Sequence, residues 1–165
     1  MKIWTLATWL AGLCASVIIA MAVFTEKTFH VEIVIPAPPA AVWSVLTDST
    51  AYKEWNPVFV NVEGAFREGE EVESLVRKPD GDETAITSTV VRLIPEREIN
   101  QYGGLPGFIT FDHKWLLEPV DGGTKVTQHE VDRGFWVWFW DSSWVEPAYA
   151  DASEALRGRV LQLAE

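Results

Sequence analysis

The chain has 165 residues, the size of one domain plus a short appendage, and enough to bury a core without covalent help. Its formal net charge of -11 argues against nucleic acid, whose affinity rests on Lys and Arg, and against electrostatic adsorption to an anionic leaflet. A single cysteine, Cys14, excludes an intrachain disulfide and a cysteine metal cluster.

Ile3 to Phe24 carries no charge over 22 residues, the length of a bilayer-spanning helix. The segment is expected to be a transmembrane helix. Lys2 before it favours a single pass with the following domain on the non-cytoplasmic side. Ala20-Met21-Ala22 also offers a small-x-small cleavage pattern, so a signal peptide removed from a secreted or periplasmic protein stays open, as does a buried helix. Residues 1–28 are read as anchor and linker, and 29–165 as one further domain.

From residue 29 the periodicity changes. Phe29, Val31, Ile33 and Ile35 alternate as in a strand. The prolines of PAPPAAVWSVL suit a first helical turn, and Val42, Val45 and Leu46 share one face. DSTAYKEW reads as a second short helix, stopped by Asn56-Pro57; Trp55 and Asn56 are expected to fix that turn. Strands follow at Val58 to Glu63, Glu71 to Arg77, Thr84 to Ile94, Glu98 to Tyr102, Phe108 to Glu118 and Thr124 to Arg133. KPDGDE and PVDGG carry turn residues between them. GGLPG reads as a glycine-rich loop, but precedes no helix, so it is no phosphate cradle and no cofactor is expected. Ala148, Ala152, Ala155, Leu156, Val160 and Leu163 then recur at helical spacing. The order predicts an α+β fold: successive hairpins form an antiparallel sheet whose apolar face the last helix covers. Its alanine stripe either packs closely on the sheet or leaves space between them.

Four stretches together resemble the START-related SRPBCC superfamily, in its polyketide cyclase/dehydrase and lipid transport branch: IPAPPAAVWSVLTD, YKEWNPVFVNVEG, HKWLLEPVDGGTKVTQHEVDRGF and ALRGRVLQLAE. The resemblance covers residues 29 to 165 and implies a helix-grip fold, a curved seven-stranded antiparallel sheet around a long C-terminal helix. It also implies an apolar cavity for a lipid or other hydrophobic small molecule, with or without catalysis. Two departures stand out. Asp132 occupies a position where relatives commonly carry a large apolar residue, and most relatives lack an apolar N-terminal segment.

The candidate site follows from strand alternation. Ile109, Phe111, His113, Trp115 and Leu117 share a face that is apolar except at His113, which is read as pointing inward, either as a general base or as a hydrogen-bonded structural group. If Val126 points inward, so do Gln128 and Glu130. A carboxylate there has a raised pKa and suits acid–base work, unless Arg77, Arg92 or Lys114 pairs with it. His113 and Glu130 are thus the catalytic candidates. Phe111, His113, Trp115, Gln128, Glu130, Trp136, Ala152 and Ala155 are the ligand-binding candidates. No metal site is expected, because the three histidines lie on different strands.

Phe135, Trp136, Trp138, Phe139, Trp140 and Trp144 crowd the link between the last strand and the last helix. Alternation would put Trp136, Trp138 and Trp140 on one side and Phe135, Val137 and Phe139 on the other. Core or cavity lining, contact with a membrane surface and a protein partner all remain open for these rings. The leading expectation is a membrane-tethered domain that binds a hydrophobic small molecule or lipid. The alternatives are a polyketide cyclase/dehydrase-like enzyme and a protein-interaction module.

Overall fold

The computed structural model describes residues 2–165, with side chains described for residues 7–21 and 25–165. The elements run α1 (Lys2–Phe24), β1 (Glu26–Ile35), α2 (Pro39–Thr47), a 3-10 turn (Ser49–Ala51), α3 (Tyr52–Trp55), β2 (Phe59–Glu63), β3 (Glu71–Arg77), β4 (Glu83–Ile94), β5 (Glu98–Leu105), β6 (Ile109–Val120), β7 (Gly123–Arg133), a second 3-10 turn (Phe135–Trp138) and α4 (Val145–Gln162). The seven strands form one antiparallel sheet in the order β1-β7-β6-β5-β4-β3-β2. Sheet and C-terminal helix together fit the helix-grip architecture.

The transmembrane part of the expectation is corrected. Among the described residues no helix is long and apolar enough to cross a membrane. The flanking side chains of the proposed span, 3–6 and 22–24, lie outside the described residues. What α1 does show is exposed apolar surface, at Trp9, Leu13 and Ile19 among others.

β1 and β5 run a full three residues beyond their sequence patterns. β1 begins at Glu26 because it pairs with β7 all the way to Glu26↔Arg133. β5 runs on through Gly103 and Gly104, which pair with Phe111 and Thr110 of β6. The expected glycine loop is therefore strand plus a tight turn at Leu105–Phe108. Pro106 and Gly107 take its central positions, Gly107 at φ 81, and Phe108 N donates to Leu105 O at 3.0 Å.

The main core lies between α2, α4 and the sheet. Ile35, Val42, Leu46, Val72, Val90, Ile99, Trp115, Leu117, Val126 and Leu156 belong to it. Val42, Val45 and Leu46 are the α2 face read from the sequence, and all three are buried. A smaller cluster sets Ala148 and Ala152 of α4 directly against Val58 and Val76. The alanine stripe therefore packs closely on the sheet here and leaves no space of its own.

Asn56 acts as the sequence suggests. Its side-chain Oδ1 accepts hydrogen bonds from the backbone N–H of Val58 at 2.9 Å and of Phe59 at 2.8 Å, turning the chain from α3 into β2. This orients Phe59, whose ring reaches the site described below. Asn56→Ala strands two N–H groups, one of them buried, so a loss of about 2–4 kcal/mol is expected. Urea denaturation checks it: the midpoint should fall with an unchanged slope, and a loss below about 0.5 kcal/mol would show that the turn holds without the side chain.

Candidate functional site

The first turns of α4 pack on β1 through Phe29, Val145 and Tyr149, and beside these contacts the sheet curves away from the helix. A cavity of about 280 Å³ lies there. That is close to the lower end of the range of small-molecule sites, roughly 300–1,000 Å³. The inner faces of β6 and β7 form one wall, with Ile109, Phe111, His113 and Trp115 from β6 and Glu130 and Asp132 from β7. Ser74, Ser88 and Gly104 add small side chains or none where a larger residue would fill the space. Val145 and Tyr149 of α4 close the roof with Trp140 and Trp144, and Phe59 reaches in from β2. Gly103 makes room for Phe111: a Cβ at Gly103 would sit 2.5 Å from the Phe111 ring and 2.5 Å from the Thr87 carbonyl oxygen.

His113 is locked in place. Its ring stacks on Phe59 (centroids 5.6 Å) and on Tyr149 (5.4 Å), and Gln128 Nε2 lies 3.1 Å from its Nε2. With the amide donating, the ring proton sits on Nδ1. Burial, and secondarily the neighbouring His129, push the imidazole down to about 3, so it is neutral in ordinary buffers. Beside it, Gln101 donates to Ser88 Oγ at 2.8 Å, and Ser88 donates to Val72 O at 3.3 Å.

The carboxyls behave oppositely. Burial raises Glu130 to about 8, the adjacent Asp132 adds to the rise, and a hydrogen bond from the Tyr149 hydroxyl opposes it. Burial raises Asp132 to about 7, against the pull of Lys27. The Tyr149 hydroxyl is itself pushed well up by burial and by Glu130. Asp132 is 2% exposed, and its Oδ1 has no hydrogen-bond partner. The cations considered as partners for Glu130 are engaged elsewhere: Arg77 with Glu83, Arg92 with Glu98 and Lys114 with Asp112. Burial without an ion pair is thus the dominant influence on both carboxyls.

Of the residues read from sequence, the structure brings Phe111, His113, Trp115 and Glu130 together on the cavity wall. Val126 is indeed buried, and Gln128 and Glu130 share its face. Gln128 itself stands behind the wall, 0% exposed, touching the site through His113. Trp136, Ala152 and Ala155 are not among the residues that line this cavity. Residues 135–138 coil into a 3-10 turn rather than alternate, so Trp136 stacks on Phe108 outside the cavity. Ala152 packs against Val58 and Val76, and Ala155 is half-buried one turn further from the cavity. The same turn breaks the predicted two-sided split of rings. Trp140 and Trp144 line the cavity, while Trp138 and Phe139 are 66% and 58% exposed. Sequence reasoning missed Tyr149, although it lies on the helical face that runs through Val145, Ala152 and Leu156. It named Asp132 as a departure but did not assign it to the site. Among the described residues, no cluster of His, Cys, Asp and Glu is placed to hold a metal ion.

The family described as polyketide cyclase/dehydrase and lipid transport matches residues 26–160. No similar sequence is found among curated proteins. Solved structures share the fold. The Zhui aromatase/cyclase of a Streptomyces species is 18% identical over 86% of this chain and 97% of its own, with a TM-score of 0.69. A protein of Thermus thermophilus is 18% identical over 84% and 100%, with a TM-score of 0.70. A protein of Rhizobium leguminosarum is 19% identical over 84% and 96%, with a TM-score of 0.67. With a match over residues 26–160, which spans the whole sheet and all but the last two residues of α4, the chain belongs to the polyketide cyclase/dehydrase and lipid transport family.

Proposed function

We propose that this protein binds a hydrophobic small molecule or lipid in the cavity beneath α4. The observation that carries the reading is the cavity itself. It is walled by Phe59, Phe111, Trp115, Trp140, Trp144 and Tyr149, with a few convergent polar groups on one side, the usual make-up of a small-molecule site. Membership of a family that includes lipid transport supports it.

Catalysis is the second reading, supported by the likeness to an aromatase/cyclase and by Glu130. Raised to about 8, Glu130 holds its proton at neutral pH and suits a general acid. His113, pushed down to about 3 and packed against the Phe59 and Tyr149 rings, is poorly suited to be a base. In either reading it positions its neighbours.

Ligand exchange at a lipid surface fits the outside of the molecule. Trp138, Phe139, Leu105 and Phe108 are exposed near the roof segment, and α1 lies beside the Phe135–Trp138 turn. Tryptophan is favoured where an apolar ring meets a polar interface. In co-flotation with phosphatidylcholine vesicles, the Trp138→Ser, Phe139→Ser double variant of the full chain is expected to bind several-fold less, with its melting temperature within about 2 °C of the parent. Unchanged flotation would remove this surface from the reading.

Two further measurements test the cavity. Ser74→Leu places four carbons in it and should weaken binding of an apolar fluorescent probe such as 1-anilinonaphthalene-8-sulfonate by about tenfold or more. Undiminished binding in a folded variant would place the probe elsewhere. The second measurement concerns pH. A carboxyl whose folded pKa lies above its unfolded value binds more protons in the folded state, so it loses stability as pH rises through that window. For Glu130 the window runs from about 4.5 to about 8. His113, lowered to about 3, contributes the opposite slope below its ordinary value of 6.5, and a difference between variants cancels it. The stability of Glu130→Gln relative to the parent is therefore expected to improve from about pH 5 to about pH 8, by roughly 1 kcal/mol or more. Calorimetry at several pH values reads it, and a flat difference would show that Glu130 ionises like a surface carboxylate.

A further inference from the structure

The polar side of the cavity is chemically one-sided. Glu130 and Asp132 lie two residues apart on β7, so both point inward. Asp132 lines the cavity, and its Oδ1 is buried and accepts nothing. The groups facing the pair are known from each neighbouring element. From β1 come Lys27, the Cα partner of Asp132, and Phe29, the partner of Glu130. From β6 come Phe111 and the neutral His113. From α4 comes Tyr149, which donates to Glu130. The Lys27 ammonium is spent on the roof segment: it donates to Trp140 O at 2.9 Å and Ser142 Oγ at 3.0 Å, and among the described residues it forms no ion pair. Two buried carboxyls therefore share a chamber lined by eight Phe, Tyr and Trp side chains, and among the described residues no Lys or Arg lines it.

A wholly apolar ligand would leave Asp132 Oδ1 without a donor, and burying it further costs about 1–3 kcal/mol. A carboxylate ligand would meet like charge. A hydroxyl brings one proton. An ammonium brings several N–H donors and a positive charge, and its charge is attracted to the faces of Trp and Tyr rings. The chain's net charge of -11 also draws cations toward it in solution. We propose that the ligand of this cavity is an apolar amine, its ring or hydrocarbon body held by the aromatic walls and its ammonium group bound by Glu130 and Asp132. This rests on the ligand-binding reading above and specifies its chemistry. Binding would then shift the pair towards the ionised form and release protons, because a cation in contact lowers a raised carboxyl pKa.

The test uses the full chain and three probes with one body: 2-naphthylmethylamine, 2-naphthalenemethanol and 2-naphthoate, titrated by calorimetry near about pH 7.5. The amine is expected to bind at least about tenfold more tightly than the other two, and Asp132→Asn should bring it down to the level of the alcohol without weakening the alcohol. Heats measured in buffers of different ionisation enthalpy should report proton release with the amine alone. Should Asp132→Asn fail to fold, Glu130→Gln carries the same comparison. Equal affinity for amine and alcohol, or an amine preference untouched by both variants, overturns the proposal while leaving the cavity reading intact. If none of the three binds, the cavity reading fails and the proposal with it.

Discussion

The register of the β6–β7 hairpin decides what this protein can do. Its two-residue turn, Asp121-Gly122, pins Val120 opposite Gly123, and the pairing then runs without a slip to Thr110↔Arg133. Side chains alternate, so one register fixes every inward residue on both strands. Near the turn the inward pair is apolar: Leu117 faces Val126 and belongs to the core. Further along, Trp115 faces Gln128, His113 faces Glu130 and Phe111 faces Asp132. A slip of one residue would export the carboxyls, and would bring Lys125, Thr127, His129 and Val131 into the core instead. The apolar half of the hairpin thus enforces the polar half. Burial of Leu117, Val126 and Trp115 holds in place groups that would not choose the interior themselves.

That enforcement has a cost in stability. Two carboxyls, a histidine and a glutamine lie in or against a chamber lined by rings, and Gln128 Oε1 and Asp132 Oδ1 find no partner. The rest of the network limits the damage. Gln128 meets His113, Tyr149 meets Glu130, and both carboxyls are free to take up protons. The position in the fold matters as well. The polar groups gather under Val145 and Tyr149, whereas Ala152 and the leucine and valine beyond it on α4 are closely packed. Stability is concentrated toward one end of the grip and the ligand chamber toward the other.

Much of this was legible in the sequence, for a physical reason. Strand periodicity of two is short and unambiguous, so the inner stripe of β6, from Ile109 to Leu117, could be read directly, and Val126 carried Gln128 and Glu130 with it. Proline and asparagine marked the α2 start and the turn at Asn56 because their effects are local. What failed were inferences that depended on how elements meet. The alanine stripe on α4 suggested space, but small side chains also permit close approach, and Val58 and Val76 took that opportunity. Room appeared instead under Tyr149, because Ser74, Ser88 and Gly104 come together from three strands, a coincidence no single strand displays. Alternation also misled beyond Gly134. The chain there leaves the sheet and tightens to a 3-10 turn, so its rings sort by a different period. The transmembrane reading rested on the uncharged run from Ile3 to Phe24, but among the described residues no helix is long and apolar enough to cross a membrane.

The aromatic segment ties these threads together. Lys27 sits at the start of β1 and reaches across to hold the Trp140 carbonyl and Ser142, with its ammonium 6.0 Å from the Trp140 ring centre. The roof is therefore fastened to the strand opposite Asp132, not merely laid over the chamber. Trp140 and Trp144 face in, Trp138 and Phe139 face out, and a single turn of chain separates the two sets. Any movement that lifts Trp140 off the cavity must also break the Lys27 contacts and shift the exposed rings. The same ammonium pulls on Asp132, its Cα partner across the strands, and favours the ionised carboxylate. One lysine thus touches both the roof and, through its charge, the carboxyls beneath it.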